Sequence, residues 1–355
     1  MNNLMKKIII GGLICSNGLS LNSCVTTSYS RKLENIVKQS HQTISLPQKQ
    51  IRQYRLEDNQ IPFSYSQTQL SISKDRKINI ETYNSEKAFS NIILLPTLGE
   101  PANSLDEFSK AMASYGHNLF ALDVEGFGKS TGTRGEINIP KIKQDISKTI
   151  EYIKSQNNKE IVLAGTSIGS EFSLIYLADG KYKHEINSAV FHGLVGPYLE
   201  ISHADYRLMF LQTDIGACLT NFFSGGELNM FYHLGKENFY NNEQKTEEIL
   251  RNPDYTINKI DTKSYTKFLH YRLKNPLDSY KGKILFIISK DDQMIPFKHS
   301  INVYSCLKNK NLNITLYIPQ GKDSNNEVPH MAFDTNFKEI TQTINYFLRG
   351  TQNSN

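Results

Sequence analysis

Gly165-Thr166-Ser167-Ile168-Gly169 sets a serine between two glycines. A serine hydroxyl is a weak nucleophile, and acyl transfer needs a base to take its proton and an acid to orient that base. The pattern G-x-S-x-G serves this chemistry at a strand–turn–helix junction, where the turn is so sharp that its neighbours must be small. The apolar run Ile161 to Ala164 precedes the motif, and a helical pattern from Ser170 to Ala178 follows it. The spacing therefore predicts such a junction, with Ser167 as the nucleophile. The positive end of the following helix favours a developing oxyanion, and the Ile168 backbone N–H is the first expected donor to it.

A scaffold for this turn is visible around it. Phe63 to Ser66, Leu70 to Ser73 and Ile78 to Tyr83 alternate apolar and polar residues, which predicts antiparallel edge strands. Short continuous apolar runs then start at Ile92, Leu119, Ile161, Ala189, Ile284 and Ile314, as in strands buried on both faces. Helical periodicity lies between several of them, over 103–115, 139–155, 168–179, 297–308 and 335–349. Alternating β and α elements imply an α/β fold with a mainly parallel sheet covered by helices on both faces. About 90 residues separate the strand near 190 from the strand near 285, far more than an ordinary connection. Residues 197–275 are therefore expected to form an inserted, mostly helical cap. Its first half, with Tyr198, Tyr206, Phe210, Phe222, Phe223 and Phe231, suits either a small cap core or a lid over an acyl-chain pocket.

A nucleophile turn of this kind is followed in chain order by the acid and then the base. That order leaves His299 and His330 of the nine histidines. His299 stands just after Pro296 at the start of a helical pattern, where a capping or solvated ring is expected. His330 follows the last strand and a polar loop, where the base belongs. Asp291 and Asp292 both lie at the carboxyl end of the strand from Ile284, and the residues alone leave the choice of acid open; the other aspartate is expected to cap the turn or face solvent. Asp123 precedes Ser167, fails the order test, and is expected to shape a tight turn with Gly126 and Gly128.

With these residues in hand, the chain resembles the monoacylglycerol lipase/lysophospholipase-like branch of the α/β-hydrolases, the serine aminopeptidase S33 type of domain, over about residues 75–350. The segments that carry the likeness are Pro96-Thr97-Leu98-Gly99-Glu100, Asp123 to Ser130 with Thr131 to Gly135 behind it, Gly165 to Gly169, Asp292 four residues before Pro296, and His330. The resemblance implies Ser167, Asp292 and His330 as the catalytic triad, with the Leu98 N–H as a second oxyanion donor beside Ile168. With the strand pattern that begins at about 61, the α/β-hydrolase domain is expected over 61–350, and the resemblance, with the apolar cap, points to hydrolysis of a lipid-derived carboxylic ester such as a monoacylglycerol or lysophospholipid. A thioester, or the N-terminal peptide bond of a small peptide cut by an aminopeptidase, is the alternative substrate within the same fold, and a non-catalytic envelope lipoprotein that binds apolar ligands is the alternative outside it. Three positions depart from the family pattern. Pro96-Thr97 stands where the family has His-Gly, Ser289 replaces a glycine before the acid, and His192-Gly193 matches the missing dipeptide in the wrong place. His192 is expected to be a pocket-wall or structural residue.

At the N-terminus, Lys6 and Lys7 precede the apolar stretch Ile8 to Cys15, which reads as a secretory signal too short to span a bilayer conventionally. Leu21-Asn22-Ser23-Cys24 resembles a bacterial lipobox. It implies cleavage after residue 23, fatty acylation (palmitate among the chains) of Cys24, and a polar tether over 24–60. The expected location is then the bacterial cell envelope, on the outer membrane in a Gram-negative cell, since Val25 rather than Asp follows the cysteine. Cys218 and Cys306 remain in the exported part, where a disulfide is permitted and two buried free thiols are the alternative. No metal or organic cofactor is expected, because no Cys/His zinc spacing is present and the triad chemistry needs none. The net charge of +5 is mild, and no Lys/Arg stripe interleaves with aromatics, so nucleic acid is not an expected partner.

Overall fold

The computed structural model describes residues 61–196, 226–228, 249, 251–256, 259–310, 312–321 and 327–350. The chain divides into two compact units, residues 1–42 and 43–355, and every described residue lies in the second. The expected signal, the tether, Cys24, Cys218 and the aromatic first half of the cap fall outside the described residues. Among the described residues no helix is long and apolar enough to cross a membrane.

An eight-stranded sheet forms the centre. In chain order its strands are β1 (Phe63–Ser73), β2 (Arg76–Ser85), β3 (Ser90–Leu95), β4 (His117–Asp123), β5 (Glu160–Thr166), β6 (Ile186–His192), β9 (Lys283–Ile287) and β10 (Asn313–Tyr317). A small separate pair, β7 (Glu227–Leu228) with β8 (Ile260–Asp261), lies between β6 and β9 in the chain. The spatial order is β1-β2-β4-β3-β5-β6-β9-β10. β1 pairs antiparallel with β2, and β2 with β4; the remaining neighbours are parallel. The alternation at 63–73 reflects an exposed edge strand, and the continuous apolar runs are strands buried on both faces, such as β3 and β4.

The helices cover both faces. They are α1 (Asp106–Ser114), α2 (Ile139–Gln156), α3 (Ile168–Asp179), α4 (Thr262–Leu269), α5 (Phe297–Lys308), α6 (Ala332–Thr335) and α7 (Phe337–Gly350). α1 packs with α7, and α2 packs with α3. From β3 the chain passes through α1 to β4 on one side, then crosses through α2 to β5 on the other. Right-handed crossovers in opposite directions put α1 and α2 on opposite faces. The main core lies between the sheet and α1, α6 and α7, where Leu94, Leu119, Val162 and Leu285 meet Phe108, Phe333 and Ile344. Phe108 and Phe333 stack at 4.7 Å between ring centres.

This order creates a switch point. The connections leaving β3 and entering β5 run in opposite directions, which opens a crevice beyond the carboxyl ends of these two neighbours. The loop Pro96 to Glu100 and the Ser167 turn both stand there. Described residues from the stretch between β6 and β9 pack on the same edge. The Thr256 N–H donates to the Gly99 carbonyl (2.7 Å), the Asp261 N–H donates to Gly135 (3.0 Å), and Phe268 of α4 meets Phe172 of α3 edge to face.

Candidate active site

Ser167 is the only non-glycine residue with positive φ among the described residues (φ 52°, ψ −123°). Such a conformation costs on the order of 1–3 kcal/mol and persists only where surrounding bonds over-determine it. They do so here. The Ser167 N–H donates to the His192 carbonyl at the end of β6 (2.8 Å), and the Ser170 N–H donates back to the Ser167 carbonyl (2.9 Å). The Ser170 hydroxyl bridges the Gly165 and His192 carbonyls. The two flanking glycines are required sterically. A Cβ on Gly165 would meet the Gly169 backbone at 2.3 Å, and one on Gly169 would meet the Leu95 carbonyl at 2.1 Å.

Ser167, His330 and Asp292 come together. Ser167 Oγ lies 2.9 Å from His330 Nε2, and His330 Nδ1 lies 2.8 Å from Asp292 Oδ2. The other oxygen, Asp292 Oδ1, accepts from the backbone N–H groups of Met294 and Ile295, both at 2.8 Å. Burial pushes the Asp292 carboxyl up. The charge and hydrogen bond of His330, with the Ile295 N–H, outweigh burial and hold it below the ordinary carboxylate range. The carboxylate is thus kept ionised against a buried imidazole, which fixes the ring's tautomer and orientation.

Three features around this relay are not evident from motifs alone. Asp291 makes a two-way link to the histidine loop. Its N–H donates to the Val328 carbonyl (3.3 Å), and its Oδ2 accepts from the Val328 N–H (2.9 Å), two residues before His330. Gly193 (φ 65°) lies beneath the ring, and a Cβ there would stand 3.3 Å from His330 Cε1. His192 is fully buried behind the relay. Its Nδ1 pairs with Thr166 Oγ1 (3.0 Å), its Nε2 pairs with Ser289 Oγ (2.8 Å), and its ring stacks on Phe333. Burial, reinforced by His330, pushes the pKa of His192 down to about 3, so the ring is neutral. The two family departures at 192 and 289 are therefore a matched pair joining the ends of β5, β6 and β9. His299 stands apart from the relay, with Nε2 2.8 Å from the Val195 carbonyl.

Leu98 and Ile168, the expected oxyanion donors, line one small pocket together with Pro96, Thr97, Val124, Phe127 and Phe172. A turn generates the free amide at Leu98. The Glu100 N–H donates to the Thr97 carbonyl (3.2 Å) and Gly99 takes φ 78°, a turn whose second residue has no use for its own N–H. Among the described residues neither the Leu98 nor the Ile168 N–H donates to another group. Asp123 is buried away from the relay. Its Oδ1 accepts from the Ala102 N–H (2.5 Å), just past this turn, and its Oδ2 accepts from the Lys129 N–H and Asn79 Nδ2, both at 2.9 Å. It shapes the turn as expected, since a Cβ on Gly128 would lie 2.1 Å from its carboxyl. It also anchors the oxyanion-side loop, which the sequence did not suggest. Among the described residues no group of three or more His, Cys, Asp or Glu could hold a metal ion.

The arrangement is equipped for acyl transfer: a strained hydroxyl, a base in contact with it, an ionised orienting acid, and two free amides lining one pocket. Solved structures share this fold. A soluble variant of monoglyceride lipase from Saccharomyces cerevisiae, in complex with a substrate analog, superposes with TM-score 0.58 at 14% identity, over 82% of this chain and 97% of that one. The monoacylglycerol lipase of Paleococcus ferrophilus gives 0.54 at 16% identity, over 79% and 98%. A carboxylesterase of the thaumarchaeon Nitrososphaera gargenis gives 0.59 at 14% identity, over 81% and 100%. No curated protein matches the chain in sequence. The family described as serine aminopeptidase, S33, matches residues 86–320, which include Ser167 and Asp292 and end ahead of His330. With well over half of its length matched on an α/β-hydrolase sheet, the chain belongs to this hydrolase family.

Proposed function

We propose that the protein is a serine hydrolase of carboxylic esters that works through an acyl-enzyme on Ser167. His330 takes the Ser167 proton as Oγ attacks the ester carbonyl. The Leu98 and Ile168 N–H groups hold the oxyanion. His330 then protonates the leaving alcohol, and water, activated by the same ring, releases the acid. Asp292 stays ionised throughout and orients the imidazole. The observation that carries this reading is the unbroken line from Ser167 Oγ through His330 to Asp292, at 2.9 and 2.8 Å.

A lipid-derived ester is the favoured substrate. The aromatic composition of residues 198–232 supports it, as does the fold shared with two monoglyceride lipases. An aminopeptidase would need a carboxylate free to meet a substrate amine. Among the described residues, the buried carboxylates flanking the site are engaged: Glu171 accepts from the Val195 and Gly196 N–H groups, and Glu100 accepts from Ser104 Oγ. The test is turnover of p-nitrophenyl esters of graded chain length by the wild type and by Ser167→Ala. The variant should lose at least about 10⁴-fold in kcat. Undiminished turnover by it contradicts the assignment.

A further inference from the structure

Thr97 occupies the first position of the turn that frees the Leu98 amide. A threonine at such a position ordinarily turns its hydroxyl onto the backbone N–H two residues on. Here it does not. Thr97 is only 4% exposed, and its Oγ1 is buried with no hydrogen-bond partner. An unmet buried hydroxyl is costly, so one that persists calls for an explanation. The carbonyl of the same residue is occupied by Glu100, and the Gly99 carbonyl is taken by Thr256, so these two acceptors of the loop are met while this hydroxyl is not. Thr97 lines the same small pocket as Leu98 and Ile168. Most of the residues lining that pocket are apolar, Leu95, Leu122 and Phe172 among them, and the acidic one, Glu100, accepts from Ser104 Oγ; in so apolar a setting one hydrogen bond to a charge is worth far more than in water.

Resting on the esterase reading above, we infer that the Thr97 hydroxyl is a third donor to the oxyanion, beside the two backbone amides. Its partner is the substrate's carbonyl oxygen as that oxygen takes up negative charge. The hydroxyl keeps its proton throughout and no bond to it is made or broken. The substitution of a family glycine by threonine thereby adds a catalytic group instead of merely stiffening the loop.

The experiment compares wild type, Thr97→Val and Thr97→Ser on a short p-nitrophenyl ester, with thermal unfolding of each. Valine keeps the shape and removes the donor. It should lower kcat about 10- to 100-fold with little change in KM, and weaken a trifluoromethyl ketone inhibitor by a similar factor. Its Tm should stay the same or rise, because an unmet hydroxyl is gone. Serine should recover kcat to within about 3-fold of wild type, by the same donor logic. Unchanged kcat and inhibitor binding in Thr97→Val would overturn the inference, and so would an equal loss in Thr97→Ser. Failure of the esterase reading is separable: the wild type would then neither turn over the ester nor bind the inhibitor.

Discussion

Two buried aspartates sit at carboxyl ends of parallel strands in one sheet and do opposite things. Asp123 closes β4; Asp292 follows β9. Burial drives both carboxyls up. At Asp123 only neutral donors answer it, and the pKa settles at about 6. At Asp292 the charge of His330 answers it as well, and the group is held below the ordinary range. The first is a structural knot that ties β2, the 123–130 turn and Ala102 together. The second keeps a charge beside a base. Topology therefore supplies the position, and the partner decides the chemistry.

Asp292→Asn breaks the comparison most sharply. The amide can still accept from Met294 and Ile295 but cannot hold the imidazole in the needed tautomer. We expect kcat to fall about 10⁴-fold while unfolding free energy changes by about 1–2 kcal/mol. Steady-state kinetics paired with urea unfolding reads both. Asp123→Ala should show the reverse pattern. Three donors lose their acceptor in a buried site, so destabilisation of about 3–5 kcal/mol is expected, with ester turnover per folded molecule far less affected than in Asp292→Asn. Equal kinetic damage in the two variants would erase the distinction.

The smallest effect sharpens the same contrast among histidines. His117, bonded to Ser90 and Asn345, is buried and driven down to a pKa of about 3, with Arg349 adding to the shift. The unfolded chain binds a proton there near pH 6.5, and the folded chain does not. Its stabilisation is therefore fully present above pH 6.5 and is lost as pH falls toward about 3. Between pH 7 and pH 5 this amounts to about 2 kcal/mol. Asp123 works in the other direction: its contribution is present at low pH and lost as pH rises through about 6. The difference between wild type and His117→Gln isolates the histidine. The variant should lose about 2 kcal/mol less stability on going from pH 7 to pH 5, by denaturant unfolding at the two values. Identical losses in the two proteins would show that His117 is charged in the fold.

Local signals carried much of this architecture in the sequence. The runs from Ile92, Leu119, Ile161, Ala189, Ile284 and Ile314 are each a strand, and the five helical patterns each coincide with a helix or helical pair, because burial on both faces and period 3.6 leave direct traces. Ser167 and His330 were legible from order and context, whereas Asp292 was separated from Asp291 only by the family resemblance. The insertion of β3 between β4 and β5 was not, since pairing partners leave no trace in either strand's own pattern. The link from Asp291 to Val328 and the bridge from His192 to Ser289 span 37 and 97 residues. Each end alone reads as an ordinary polar residue, or as a departure from a motif. Thr97 was visible as an odd residue, but whether its hydroxyl was met depended on every neighbour in three dimensions.

Ser167 as the activated nucleophile can be labelled directly. The most direct measurement is intact and peptide mass spectrometry after treating the folded protein with a fluorophosphonate probe. One adduct per chain is expected, mapped to Ser167, absent from Ser167→Ala and slowed in Asp292→Asn. No adduct on the folded wild type, or one on another serine, would contradict it.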